Sequence, residues 1–318
     1  MKSRFLGGMI GSALGDAIGE IAFRRPQEAQ LRQEIMRRDI LVYTDDTAMA
    51  LGLAESIVQV GGLDPHHLGN TFRANFEREP WRGYASGPPT VFSLVERRGM
   101  SYAEAAHALY GGQGSFGNGA AMRIAPLGLC FHDSPDLDEY ARLSAAVTHA
   151  HPIGVDGAAV QARAVAQAVR LDPHEPFPFE DFSQALVDVA RTPEMRDKLA
   201  LVRALIAGDV PPPDAARRLG RSVAVHESLP FAIYAFLRHP QSFEACLLCA
   251  VLNGGDRDTL GAMACAISGA YLGIESIPQP WRDKLENRPY IERLATRLAT
   301  MSKSVSLEGS HASTGSEQ

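Results

Sequence analysis

Apolar residues recur at intervals of three and four along most of the chain and nowhere alternate long enough to build a set of strands. That pattern predicts an all-α protein. The spacing predicts helices over residues 5–23, 47–60, 226–237, 243–252 and 259–273, and a last one over 289–301. Between 64 and 99 it predicts helix, loop and helix, with Gly83, Gly87, Pro88 and Pro89 in the loop. Two helical patterns over 138–170 meet near His151-Pro152, the proline-rich 171–185 reads as an excursion, and short amphipathic helices follow to Leu219. The charged segment 24–39 (RRPQEAQLRQEIMRRD) reads as a mobile, solvated connector able to fold over a site. Residues 302–318 carry few apolar side chains and are expected to be a disordered tail, leaving 1–301 as one domain. The architecture expected is a compact orthogonal bundle of a dozen or more helices.

Within the first helix Gly8, Ser12, Gly15 and Gly19 fall near one face, where small side chains allow another backbone to come close. A plain small-residue packing seam and the crowded floor of a site explain that spacing equally well. Asp16 and Glu20, four apart, share a face.

Chemistry concentrates at two stretches. Asp45 and Asp46, flanked by Thr44 and Thr47, fall at the start of the 47–60 helix; Asp256 and Asp258, followed by Thr259, open the apolar 259–273 helix. A capping role explains one carboxylate at each helix start. Two side by side repel, and four brought together in a buried place require protons, pairing or metal. Candidate donors are all carboxylate and hydroxyl oxygens, which suits hard ions. Two Mg²⁺ ions, with Mn²⁺ as the substitute, held in a central dinuclear site by Thr44, Asp45, Asp46, Asp256, Asp258 and Thr259, are therefore expected. From Gly111 to Gly119 the run GGQGSFGNG precedes an apolar stretch, an arrangement that can aim backbone N–H groups and a helix dipole at an anion. Taken alone this is a weak signal.

Several motifs in order, GSALGDAIGE, YTDDTAMA, GSFGNGAAMR, THAHPIGVDGA and GGDRDTLGAMACAISGAYLG, together resemble the ADP-ribosylglycohydrolases. The resemblance runs from about Arg4 to about Arg297, and GSFGNGAAMR, ARLSAAVTHA and HESLPFAIYAFLR are most similar to the branch acting on serine-linked ADP-ribose, poly(ADP-ribose) and O-acetyl-ADP-ribose. It implies a magnesium-dependent hydrolase that cleaves the anomeric C–O bond and releases ADP-ribose. An arginine-specific hydrolase, a silent ADP-ribose reader and a phosphohydrolase acting on a nucleotide diphosphate are the alternatives. By the same resemblance Gly114, Ser115, Phe116, Gly117 and Asn118 form a diphosphate cradle, Phe116 offers adenine a stacking surface, and Gly87, His149 and Val223 lie against the nucleotide. In the family a glutamate seven residues after the Gly-Asp aspartate is credited with proton transfer. Here that position is Phe23. Glu20, one turn earlier, is expected to replace it, with Asp45 as the second catalytic carboxylate and Glu28 and Glu34 in reserve.

Composition narrows the classes. A net charge of -6 over 318 residues argues against general nucleic-acid binding and suits a soluble cytoplasmic enzyme; the partners that the resemblance implies are ADP-ribose and ADP-ribosylated proteins. Cys246 and Cys249 make a lone CxxC inside an apolar helix with no second pair, so they read as buried small residues in a reducing compartment. Basic residues 1–4 before a small, apolar stretch imitate a secretory leader, but Gly7, Gly8, Gly11, Gly15 and Asp16 weaken it. No apolar run reaches the length of a membrane span.

Overall fold

The computed structural model describes the backbone of residues 1–312 and the side chains of residues 1–302. Those residues form eighteen α-helices and one short 3-10 turn, with no named strand among them. One apolar core cluster includes residues from Phe5 to Ala299. No described helix is long and apolar enough to cross a membrane.

At the centre lie two helices, Lys2–Arg24 and Arg257–Leu272, from opposite ends of the chain. Residues 7–19 of the first and 259–271 of the second are buried without interruption, and their backbones touch along a seam of small residues. A Cβ added at Gly7 would stand 2.2 Å from the Gly269 carbonyl oxygen, at Gly11 2.5 Å from that of Cys265, at Gly15 2.1 Å from that of Gly261, and at Gly19 2.4 Å from that of Arg257. The pairing of rising with falling residue numbers makes the two helices antiparallel. It also sets Asp16 and Glu20 beside the start of the 257–272 helix. Of the seam expected at Gly8, Ser12, Gly15 and Gly19, Gly15 and Gly19 make the close approach; Gly7 and Gly11 complete it, while Gly8 meets the Leu129 side chain.

The helix Asp45–Val60 packs beside this pair and ends at Gly61, whose φ of 73° is the left-handed conformation that closes a helix without a Cβ penalty. Helices Pro65–Arg78 and Gly87–Arg98 follow in the expected order, but Gly87, Pro88 and Pro89, expected in the loop, open the second, where prolines suit the first turn; the first is capped by Asp64, which accepts from the backbone N–H groups of His66 and His67.

Three expectations are corrected. Residues 24–39 contain a helix, Glu28–Arg37, because Leu31 and Ile35, one turn apart, are buried. The 171–185 excursion ends early, at a helix Phe179–Val189. The last helix runs Arg288–Ala312 instead of stopping at 301; of the tail expected to be disordered, residues 313–318 lie outside the described residues.

Candidate functional site

Thr44, the N-cap of the 45–60 helix, makes no capping bond from its own side chain. The cap comes from Asp16 on the neighbouring helix. This fully buried carboxylate accepts from the Thr44 and Thr47 hydroxyls at 2.7 and 2.6 Å and from both backbone N–H groups at 3.0 Å. Asp16 therefore fixes where Asp45 and Asp46 project. The second acidic stretch is placed by Asn118, whose amide donates to Asp256 at 2.7 Å and to the Ser228 hydroxyl at 3.2 Å. Asp256 is also tied through its backbone N–H to the Arg221 carbonyl at 2.9 Å.

The two pairs meet, and their charges are felt. Burial, then Asp16, then Asp256 push Asp45 up to about 7. Burial, then Asp256, Asp16 and Asp45 push Asp258 up to about 8. Asp46, 2% exposed, is raised well above the usual carboxylate range by burial and by Asp16, Asp258, Asp45 and Asp256. Burial also raises Asp16, against the pull of its threonine hydrogen bonds. None of the ion pairs among the described residues includes any of these five aspartates. Two helix N-termini point positive ends at the cluster, which offsets part of the charge but not five carboxylates.

A cleft of about 240 Å³ opens over this cluster. Its wall contains Asp45, Asp46, Asp256, Asp258 and Thr259, and also Gly87, Ser115, Gly117, Asn118, His149 and Val223. Of the expected site residues, Thr44 and Glu20 lie instead on an adjoining cavity, which shares Asp45 and Asp258 with the cleft. Gly114 and Phe116 are in neither wall. Gly114 is packed on the backbone of Ala150 and His151. The Phe116 ring, 47% exposed, leans on His151 and His226 at 5.4 and 6.1 Å. The aromatic ring that does line the cleft is Tyr110, held at a φ of 52° ahead of Gly111 and Gly112. A tyrosine in the left-handed region is a strained placement, kept only where the surroundings fix it.

The loop around Ser115 is pinned to residues 223–225 by Asn118 N–H to Val223 carbonyl at 2.9 Å and Val225 N–H to Phe116 carbonyl at 3.1 Å. The dipole expected behind it is absent: Gly119–Met122 is only four residues, and the chain breaks at Arg123 and Ile124 before Ala125–Cys130. His149 is buried with its Nδ1 2.8 Å from the Thr148 hydroxyl, and burial with the nearby Arg123 pushes it down to about 3, so it is neutral at physiological pH. Arg123 itself is fully buried, donates to the Gly119 and Ser144 carbonyls and lies over the Phe72 ring. Sequence reasoning missed the roles of Asp16, Tyr110 and Arg123. The Gly-Asp step beside the seam and the arginine ending GSFGNGAAMR were the signals available.

Whether the cluster fits a cation turns on its donors. Among the described residues no three carboxylate, imidazole or thiol side chains converge closely enough to ligate one ion as they stand. Asp46 Oδ1, however, is buried with no hydrogen-bond donor. A bare, buried carboxylate oxygen beside four other carboxylates and two threonine hydroxyls is a donor set for a hard cation. The residues present fit such an ion.

Helical fold, acidic cluster and flanking cleft frame the site, and the family match gives the class, a hydrolase of glycosidic bonds. The model of the ADP-ribosylglycohydrolase family matches residues 1–307, and the chain belongs to that family. It is 33% identical to the mouse ADP-ribosylhydrolase ARH3 over 93% of this chain and 91% of that one, and 32% identical to the human ARH3 over 93% of each. An uncharacterised protein of Archaeoglobus fulgidus is 33% identical over 94% of this chain and 96% of its own. Among solved structures, one titled ADP-ribosylglycohydrolase-related protein complex superposes with a TM-score of 0.71 at 28% identity, covering 95% of this chain and 98% of that one.

Proposed function

We propose that the protein is a magnesium-dependent hydrolase that releases ADP-ribose from O-linked acceptors, serine-linked ADP-ribose first among them, by cleaving the anomeric C–O bond. The observation that carries this reading is the acidic cluster, in no ion pair among the described residues, at the base of a cleft walled by Ser115, Gly117, His149 and Val223. The similarity to ARH3 proteins supports the substrate class. Asp45, Asp46, Asp256, Asp258, Thr44 and Thr259 would hold two Mg²⁺ ions, which supply charge stabilisation and orientation of ribose hydroxyls and water. The chain's own residues do the rest. Asp16 and Asn118 keep the two acidic pairs in register. Neutral His149 and the Tyr110 ring bound the nucleotide. The C–O bond breaks toward an oxocarbenium-like state, water oxygen bonds to the anomeric carbon, and the proton from water ends on the acceptor oxygen. Glu20 moves that proton: its exposed carboxylate opens onto the cavity that shares Asp45 and Asp258 with the cleft.

One observation favours a second reading. Phe23 occupies the position of the family's proton-transfer glutamate and is 45% exposed, which would suit a silent ADP-ribose reader. The deciding assay offers serine-linked ADP-ribosyl peptide with and without magnesium. Metal-dependent release of intact ADP-ribose, abolished in Glu20→Gln while ADP-ribose binding persists, is the expected outcome. Binding without release selects the reader, preference for an arginine-linked peptide selects the other acceptor class, and AMP selects a phosphohydrolase.

A further inference from the structure

The cavity beyond the aspartates measures about 480 Å³ and shares Asp45, Gly83 and Asp258 with the nucleotide cleft. Those residues are thus a partition with a cleft on one side and a larger hollow on the other. We propose that this hollow is the acceptor subsite and takes the polypeptide segment flanking the modified residue, with Trp81 as its aromatic contact and Glu20 and Arg24 as its polar ones. The proposal rests on the hydrolase reading, since a bond broken at the partition leaves ADP-ribose on one side and its acceptor on the other.

Trp81 is 72% exposed and makes no ring contact among the described residues. Its neighbour is held firmly. Arg82 donates to Glu286 at 2.7 and 3.1 Å and to Glu79 at 2.9 Å, and lies 4.2 Å from the centre of the Tyr43 ring. Tyr43 in turn belongs to a segment joined to residues 284–286 by Leu41 N–H to the Lys284 carbonyl and Glu286 N–H to the Leu41 carbonyl. A large aromatic ring presented on a fixed base loses little freedom when a ligand covers it, and Trp is enriched where binding energy concentrates. Val42, also exposed, adds an apolar neighbour in the same wall.

The charges choose the occupant. Arg38 is engaged by Glu34, and Arg82 by Glu79 and Glu286. Among the described residues of this wall Arg24 is the guanidinium without an anionic partner, and the exposed Glu20 one turn away on the same helix is likewise unengaged. A second nucleotide diphosphate, as a poly(ADP-ribose) chain would bring, calls for more than one free cation and would face Glu20, Asp45 and Asp258. One free cation, one free carboxylate besides the aspartates of the partition, and an aromatic ring match the mixed chemistry of a peptide.

Two measurements test this. Wild type and Trp81→Ala are compared on a serine-linked ADP-ribosyl peptide of about ten residues, on O-acetyl-ADP-ribose, and on poly(ADP-ribose). The ratio of kcat/KM for peptide over acetyl ester should fall about tenfold in Trp81→Ala, chiefly through KM, the loss expected for an aromatic contact worth a little over 1 kcal/mol. Separately, the chain has two tryptophans, and Trp281 is 7% exposed. In a Trp281→Phe protein with chelator present to stop turnover, the modified peptide should shield Trp81 fluorescence from iodide, and free ADP-ribose should not. An equal fall on peptide and ester, equal shielding by ADP-ribose, or a loss confined to the polymer would each overturn the proposal. Native protein that releases ADP-ribose from no substrate would overturn the hydrolase reading instead, and selective shielding by the peptide would then still support the subsite.

Discussion

Asp16 and Asp156 are both fully buried, and each caps a distant helix that cannot cap itself. Asp16 receives four donors from Thr44 and Thr47. Asp156 receives the Arg191 and Thr192 backbone N–H groups at 2.9 Å, the Thr192 hydroxyl at 2.7 Å, and Arg142 Nη1 at 3.0 Å. Thr192 and Thr44 are alike N-caps without a capping side-chain bond of their own. The environments differ in one respect. Asp156 faces a guanidinium, whereas Asp16 faces Asp45, Asp46 and Asp258 and, among the described residues, forms no ion pair. This chain can neutralise a buried carboxylate with its own arginine, and does so where the carboxylate only holds two segments together. Where it does not, the carboxylates must take up protons or a cation from solution, which a purely structural carboxylate does not need to do.

The sharpest break in this comparison is Asp156→Ala, which strands the Arg142 guanidinium in the interior. Urea denaturation should show a loss of about 3–5 kcal/mol, with or without magnesium. Next comes metal removal. Asp45 and Asp258 titrate near 7 and 8 in the folded chain against about 3.8 when unfolded. With chelator present, the contribution of these two carboxylates is therefore full below about 3.8 and is lost as pH rises toward 8, because the unfolded carboxylates give up protons that the folded ones keep. Magnesium at about a hundred times its dissociation constant should restore about 2.7 kcal/mol. A urea midpoint of His149→Gln in chelator, free of the opposing histidine, that does not move between pH 5 and 8 would count against the cluster as a cation site.

His149 turns the same logic over, since the buried Arg123 beside it is a cation without a carboxylate. Its value near 3 lies below the 6.5 of an unfolded histidine, so its contribution is present above 6.5 and falls as pH drops toward 3. By pH 5 the loss is about 2 kcal/mol, and urea midpoints of His149→Gln should lack that acid-dependent part. The smallest effect is expected from Asp16→Asn, which keeps an acceptor for the cap while removing one charge. In magnesium it should cost about 1 kcal/mol, and in chelator at pH 8 less, because the lost repulsion offsets the weakened cap.

Helix positions were plain in the sequence because core-facing residues repeat at the helical period. The acidic helix starts stood out because adjacent aspartates have no apolar explanation. The register of the central seam was harder: Gly7, Gly8, Gly11, Ser12 and Gly15 all lie within about one helical face, and only the partner backbone selects among them. Leu31 and Ile35 were legible as a helical pair but were outweighed by eleven charged or amide neighbours in residues 24–39. Phe116 read as the ring beside the nucleotide because it sits inside the glycine motif; Tyr110 reaches the cleft instead through a positive φ that no periodicity reveals. The dipole expected after Gly119 failed because four residues of helix are too few to sum one.

Because the Lys2–Arg24 helix finds its partner some two hundred and fifty residues later in the chain, half of the acidic centre is made first and waits. During synthesis Asp16, Asp45 and Asp46 leave the ribosome long before Asp256 and Asp258, and the glycine-lined surface meant for Arg257–Leu272 stays uncovered until that segment emerges. The protein is then committed to a slow, non-local closing step. Fragments cut short before residue 272 should carry neither a finished centre nor a covered seam, which makes them natural clients for chaperones and proteases.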